Sequence, residues 1–281
     1  NFGLDYGLAN KLGKISEKEL EIILSLAEGA GVEMIDTAQS YGDSEKRLGA
    51  PSSNRCFKIV TKIEVNLDGD LQKNNISGFV KQSCNRLNQP RLYAVLLHRP
   101  EVLLSDQGCA IIKELQALKD QNVISKIGIS IYAPEILHEI SRLFQFDIVQ
   151  VPFNIFDQQI LSSGWSRKLK DRGVEIHTRS VFLQGLLLMR KPSLHNYFIR
   201  NWPDAFDTWY KFLKDNNFNC LNVALSFALQ QDWIDKIVVG IDTGAQLRAL
   251  LEIEESPLSI DFPQIQCDDP NLINPSNWNL T

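Results

Sequence analysis

The chain has 281 residues, 44% of them hydrophobic and 22% charged, with a formal net charge of −5. That length supports a large buried core, the mild acidity gives no sign of a basic face for nucleic acid or a polybasic membrane patch, and no apolar run approaches the ~18 residues that cross a bilayer. Five widely spread cysteines, with no C-x-x-C pair, no close Cys/His spacing for a metal and no signal pattern at the start, predict reduced thiols in a cytoplasmic protein.

In chain order, short β-rich runs alternate with longer segments of helical periodicity. A helix is predicted over 16–30, the strand VEMID over 32–36, the strand CFKIVTK over 56–62 and a helix over 72–88. The strands LYAVLLH (92–98), SKIGIS (125–130), FDIVQV (146–151), VEIHTRS (174–180) and DKIVVG (235–240) follow. Helices are predicted between them over 106–121, 134–144, 158–172 and 219–231, and a last one over 243–254. Near-continuous apolar strands between amphipathic helices indicate a parallel sheet covered on its outer face. Seven strands are visible, and an eighth is expected at or just before Asn1, running into NFGLDYG. Eight make an α/β fold of the (β/α)8 TIM-barrel type, whose usual length fits residues 1–281 as a single domain. A doubly wound open sheet is the competitor, but no Gly-x-Gly-x-x-Gly follows an early strand. Segment 188–210 reads as an aromatic-rich insertion after the seventh strand, and the Pro/Asn-rich tail 257–281 as an ordered loop over the barrel.

A TIM barrel builds its site at the C-terminal ends of its strands. The second strand ends at Asp36, with Tyr41 in the loop after it; the third ends at Lys62 and the fourth at His98. Taken singly, each has an ordinary reading: a turn or capping Asp, a packing Tyr, a solvated Lys, a hydrogen-bonded structural His. Their arrival at successive strand ends, ~4.8 Å apart, is what singles them out.

This constellation resembles the aldo-keto reductase family over nearly the whole chain. The resemblance rests on DTAQSYGDSEKRLG, the Lys of IVTKI, the His of LLHRP, the Ser of GIS, the Gln of IVQVPFN and the turn RSVFLQGLL. It implies NAD(P)H-dependent reduction of an aldehyde or ketone on a TIM barrel, with a catalytic tetrad at Asp36, Tyr41, Lys62 and His98. Tyr41 would be the general acid, its phenol acidified by the Lys62 ammonium by up to ~3 pH units before desolvation opposes it. Asp36 would hold Lys62, and His98 would hydrogen-bond the carbonyl oxygen.

The resemblance also places the nicotinamide carboxamide against Ser130 and Gln150, although Ile131 stands where the family usually has Asn. Arg179 stands where many members stack an aromatic ring. Its charge should disfavour the oxidised nicotinamide; alternatively it meets an anionic substrate group or an acidic neighbour. Ser180, Phe182, Gln184 and Gly185 of the following turn, with Gly240, Asp242, Thr243 and Gln246 at the start of the last long helix, would hold the pyrophosphate and adenosine. The family's commoner dinucleotide is NADPH, but Arg248 is the only base near that helix start and Asp242 suits a ribose diol, which admits NADH. The turn, the GLDYGLANK start and the DDPNLINPSNW ending look like a bacterial branch linked with polysaccharide or nucleotide-sugar pathways. Tyr6, Phe153, Phe182, Trp202 and Trp209 are the candidate walls of a pocket for a small carbonyl compound such as a sugar derivative, each with core packing as the plain alternative. Two rival readings are a Schiff-base aldolase through Lys62 and a cofactor-binding sensor on a reductase fold.

Overall fold

The computed structural model describes residues 2–4, 7–8, 13–50, 55–65 and 75–280. Seven strands form one parallel sheet in chain order: β1 (Met34–Asp36), β2 (Lys58–Ile63), β3 (Leu92–Leu97), β4 (Ile124–Ser130), β5 (Ile148–Pro152), β6 (Glu175–Arg179) and β7 (Lys236–Ile237). Helices α1 (Glu17–Gly29), α2 (Ser44–Leu48), α3 (Ile76–Leu87), α4 (Gly108–Asp120), α5 (Leu137–Leu143), α6 (Gln159–Ser162), α7 (Trp165–Asp171), α8 (Asn196–Asn201), α9 (Pro203–Asp215), α10 (Cys220–Leu229), α11 (Gly244–Glu255) and α12 (Pro270–Ile273) fill the connections and the tail.

The helix starts follow their capping residues. Ser16, Asn75, Asn219 and Thr243 each accept a backbone N–H of the first turn with their side chains, satisfying donors that a helix cannot pair internally. On α1, Leu20, Ile23, Leu24 and Ala27 repeat at helical spacing and are buried. The segment predicted as one helix over 158–172 is broken by Gly164, whose φ of 72° ends the first piece.

Two hydrogen bonds show that the sheet is curled. Gln150 on β5 bonds Asp36 on β1 at 2.8 Å, and Tyr93 on β3 bonds Glu175 on β6 at 2.9 Å. In a flat sheet strands four apart would be about 19 Å away. The curl makes an inside, filled by Val60, Ala94, Leu96 and Ile148 with Met34 and Tyr93, and an outside, where the larger apolar core joins sheet to helices. Gly128 sits where the inside is tightest: a Cβ there would come within 2.4 Å of the Leu96 side chain and 2.6 Å of the Ile148 carbonyl.

This is the (β/α)8 architecture, with all seven visible strands where they were expected. Among the described residues no strand precedes β1; residues 2–4 and 7–8 join no sheet, and Asn1, Asp5 and Tyr6 lie outside the described residues. Segment 188–210 is more regular than an insertion loop, supplying α8 and most of α9. The tail runs without regular structure to Asp269 and then forms α12 and one 3-10 turn.

Candidate active site

The loop after β1 is a rigid platform. The Thr37 and Gln39 N–H groups continue the pairing to Val60 and Lys62 carbonyls at 2.8 and 3.0 Å, and the Gln39 amide donates to the Phe79 carbonyl at 2.7 Å and to Ser83 Oγ at 2.8 Å. Gly42, with φ of 59°, then turns the chain into α2 directly after Tyr41. The D-S-E-K-R-L part of the motif clamps that helix. Glu45 is buried and accepts the Thr61 hydroxyl at 2.7 Å, and Arg47 bonds Glu17 at 2.7 Å and the Phe2 carbonyl.

On this platform the four strand-end residues meet. Lys62 is 1% exposed and its ammonium is paired with Asp36 and donates to the Thr37 carbonyl at 3.2 Å. Asp36 Oδ2 accepts the Gln150 amide at 2.8 Å. The Tyr41 ring lies 5.2 Å from Lys62 Nζ and meets the His98 ring edge-on, with centroids 6.0 Å apart. His98 Nδ1 is 3.2 Å from Ser40 Oγ and 3.5 Å from Glu64. No described residue takes the Tyr41 hydroxyl in a hydrogen bond.

The electrostatics correct one expectation. The Tyr41 phenol is not acidified: burial holds it well above its ordinary range, the Asp36 charge adds to that, and Arg179 only partly opposes it. Burial is the main reason, and the Lys62 ammonium is paired with Asp36 rather than with the phenol. His98 is pushed down to about 4, first by burial and then by the Lys62 and Arg179 charges, so it is neutral at physiological pH.

Across the mouth, Ser130 and Gln150 are register partners on β4 and β5. The buried Gln150 Oε1 has no hydrogen-bond partner. Arg179, at the end of β6, donates to the Ile131 carbonyl at 3.0 Å and to Ser180 Oγ at 3.2 Å, and its guanidinium lies 4.6 Å over the Tyr132 ring. An ion pair to an acidic neighbour, one of its expected roles, is absent among the described residues. Ser180, Phe182, Gln184 and Gly185 share one tight turn, in which Ser180, Gln184 and Gly185 have positive φ. The start of α11 differs from expectation, because its Gly244 and Gln246 N–H groups, and the Asp242 N–H just before it, are already engaged by the chain itself. Gly244 N donates to Glu19 at 2.7 Å, Asp242 N to the Gln246 side chain at 2.6 Å and Gln246 N to Thr243 Oγ1 at 3.2 Å. Gly240 leads into this turn with open space around it, and Arg248 is exposed.

The aromatic pocket candidates are mostly core. Phe153 is fully buried, stacked on Phe227 and edge-on to Trp233, and Trp209 is also fully buried. Phe182 packs against the core. Trp202 anchors the tail: its indole N–H donates to Asp269 at 3.1 Å and its ring packs on Tyr197. Tyr6 lies outside the described residues. The cavity that does open beside Arg179, of about 210 Å³, is walled by Tyr132, Asp157, Asp268 and the tail prolines Pro270 and Pro275. Sequence reading missed Asp157 and Asp268, since an acid in a loop without a strand-end register carries no local signal. The DDP of the tail was the only hint.

The sequence profile of the aldo/keto reductase family matches residues 4–265. The chain belongs to that family. Among curated proteins it is 24% identical to D-arabinose 1-dehydrogenase of Saccharomyces cerevisiae, over 83% of this chain and 76% of that protein. It is likewise 24% identical to D-threo-aldose 1-dehydrogenase of a Pseudomonas species, over 87% of this chain and 86% of that protein. Among solved structures, the holo form of an aldo-keto reductase from Bacillus halodurans shares the fold with a TM-score of 0.73 at 20% identity, over 92% of this chain and 93% of that one. As an aldo/keto reductase, the protein is an NAD(P)-dependent oxidoreductase working between carbonyl and alcohol on a small-molecule substrate.

Proposed function

We propose that residues 1–281 act as one barrel domain that reduces an aldehyde or ketone, with Tyr41 as the general acid and Asp36, Lys62 and His98 as its support. The observation that carries this reading is the convergence of those four side chains at the mouth, with the Tyr41 hydroxyl in no hydrogen bond to a described residue. NAD(P)H, when bound, supplies the hydride to the carbonyl carbon. Tyr41 keeps its proton through neutral pH and presents it to the oxygen as negative charge grows there. The phenolate left behind faces the Lys62 ammonium, which Asp36 holds in place. Neutral His98 keeps the proton on Nε2 when the Ser40 hydroxyl donates to Nδ1, and Nε2–H then steers the carbonyl oxygen.

Reduction of 4-nitrobenzaldehyde, lost in Tyr41→Phe while dinucleotide binding persists, tests the assignment; turnover within twofold of wild type would refute it. A Schiff-base role for Lys62 is not favoured, since the ammonium is held as the cation by Asp36 rather than freed as a nucleophilic amine. A sensor role is not favoured beside relatives that are dehydrogenases.

Ser130 and Gln150 fit a nicotinamide carboxamide, because the partnerless Gln150 Oε1 is an acceptor waiting for an amide N–H. The start of α11 does not fit a 2′-phosphate. Its Gly244 and Gln246 N–H groups are used, and Glu19 and Asp242 bring negative charge to that turn. We therefore favour NADH over the family's commoner NADPH. Fluorescence titration should give NADH the lower Kd; tighter NADPH binding would overturn this choice. We place the protein in the cytoplasm on the strength of its five free cysteines, and the aldoses in the relatives' names support a sugar as substrate.

A further inference from the structure

The cavity beside Arg179 has a mixed polar lining that the tetrad does not use. Arg179 is its one cation, and its two hydrogen bonds go to neutral acceptors, so several of its five N–H donors remain for a ligand. The same lining holds three carboxylates, Glu135, Asp157 and Asp268. Asp157 is 2% exposed, and its Oδ1 receives only one long bond, 3.4 Å from Gln159 N. Asn154 fixes it there by accepting the Phe156 and Asp157 N–H groups at 2.9 and 3.0 Å. The tail closes the far side, held by the Trp202–Asp269 bond and by Tyr197, whose hydroxyl donates to the Asn271 carbonyl at 3.2 Å. Tyr132, Pro152 and Pro270 supply flat walls. Arg179 ties this cavity to the mouth, since it donates to the carbonyl of Ile131, the residue directly after Ser130, whose register partner Gln150 bonds Asp36.

A guanidinium and carboxylates lining one cavity with flat walls suit a molecule whose groups both donate and accept, which is what a row of hydroxyls does. With Glu135 and Asp268 set against one base, and Asp157 adding a part of a negative charge at neutral pH, the same lining disfavours a phosphate or carboxylate. We propose that this cavity reads the hydroxyls of the substrate and selects an uncharged sugar over sugar phosphates and sugar acids. The inference rests on the carbonyl-reductase reading and sharpens it.

The test pairs each uncharged sugar with a relative that carries an anionic group: D-glyceraldehyde with its 3-phosphate, and D-glucose with D-glucuronate. 4-Nitrobenzaldehyde is the reference without hydroxyls. In wild type the uncharged member should have at least a tenfold higher kcat/KM. In Asp268→Asn, and separately in Asp157→Asn, that preference should shrink at least threefold, and kcat/KM for glyceraldehyde relative to 4-nitrobenzaldehyde should fall. Asp268 is exposed, so its variant keeps the test alive if Asp157→Asn does not fold. Binding of the alditol sorbitol against gluconate, followed by saturation-transfer NMR, needs no turnover. Sorbitol binding that weakens in Asp268→Asn supports the subsite even where 4-nitrobenzaldehyde is not reduced and the reductase reading fails. Equal or better use of the charged members, unchanged ratios in both variants, or a change in dinucleotide Kd that accounts for the whole effect (the cavity then holding a cofactor ribose) would each overturn the proposal.

Discussion

The two ends of this barrel carry the same four kinds of side chain and use them differently. At the mouth stand Tyr41, Lys62, Asp36 and His98; at the opposite end of the interior stand Tyr93, Lys126, Glu175 and His177. At the lower end every group is spent on another. The Tyr93 hydroxyl bonds both Glu175 oxygens at 2.9 and 3.1 Å, Lys126 pairs with the same carboxylate, and His177 lies 3.3 Å from it. At the mouth the carboxylate is taken by Lys62 and Gln150 instead, and the phenol is left over. A carboxylate that accepts a phenol makes a strut; one that turns away from it leaves a proton donor. On the proposed assignment the chemistry therefore lives in how the four are wired, not in which four they are.

Removing the two hydroxyls should separate the ends most sharply. Tyr41→Phe is expected to lower kcat/KM for 4-nitrobenzaldehyde by about 10²–10⁴-fold, the usual worth of a positioned acid, with dinucleotide Kd within twofold. Tyr93→Phe should leave both constants within twofold and cost about 1 kcal/mol in denaturant unfolding, the net worth of one hydrogen bond. A kinetic defect in Tyr93→Phe comparable with that of Tyr41→Phe would erase the distinction.

The ammonium groups extend the contrast. Lys62 is almost wholly buried, so Lys62→Met strands the Asp36 charge and should cost roughly 3–5 kcal/mol of stability. Lys126 is 28% exposed, and Glu175 keeps Tyr93 as a donor, so Lys126→Met should cost about 1–2 kcal/mol. Unfolding curves for the two variants that coincide would show the mouth pair to be no more buried in effect than the lower one.

The fold and the mouth differ in how well they could be read from residues. Apolar strands and capped helices announce themselves locally, and the barrel follows from their alternation. Asp36, Lys62 and His98 were legible because a polar residue that stops an apolar strand is a local anomaly. What could not be read depends on distant partners. Nothing near Gly244 says that Glu19, on α1, occupies its N–H. Nothing in FNIFDQQ says that Phe153 faces Trp233 while Asp157 faces a cavity. The direction of the Tyr41 shift depends on how deeply the fold buries the phenol and on the Asp36 charge beside it, neither of which spacing gives.

Titration distinguishes the tetrad from the cavity beside it. His98 falls to about 4 in the folded chain, so its contribution to stability is complete above the unfolded value of ~6.5 and is lost as pH falls toward 4, on the order of 3 kcal/mol. Asp157 has the opposite sign. Burial raises it to about 7, so its contribution is present at low pH and is lost as pH rises from ~4 to 7. The two slopes oppose each other in wild type. In Asp157→Asn, stability relative to wild type should climb between pH 4 and 7; in His98→Gln it should climb as pH falls from 6.5 to 4. Parallel curves for wild type and either variant would remove that group from the account.

The smallest effect expected is at Ser40, which no strand-end argument selected. Its hydroxyl, 3.2 Å from His98 Nδ1, is the device that fixes which ring nitrogen carries the proton, since Glu64 at 3.5 Å competes for the other tautomer. With Ser40→Ala, His98 would donate from Nδ1 to Glu64 and present a bare Nε2 to the carbonyl oxygen. We expect kcat to fall about three- to tenfold, the worth of one hydrogen bond, with dinucleotide Kd unchanged and recovery in Ser40→Thr. A merely structural serine would move the melting temperature without moving kcat. The lower end supplies the control, because His177 already has a carboxylate, Glu175, on one ring nitrogen and has no carbonyl to steer.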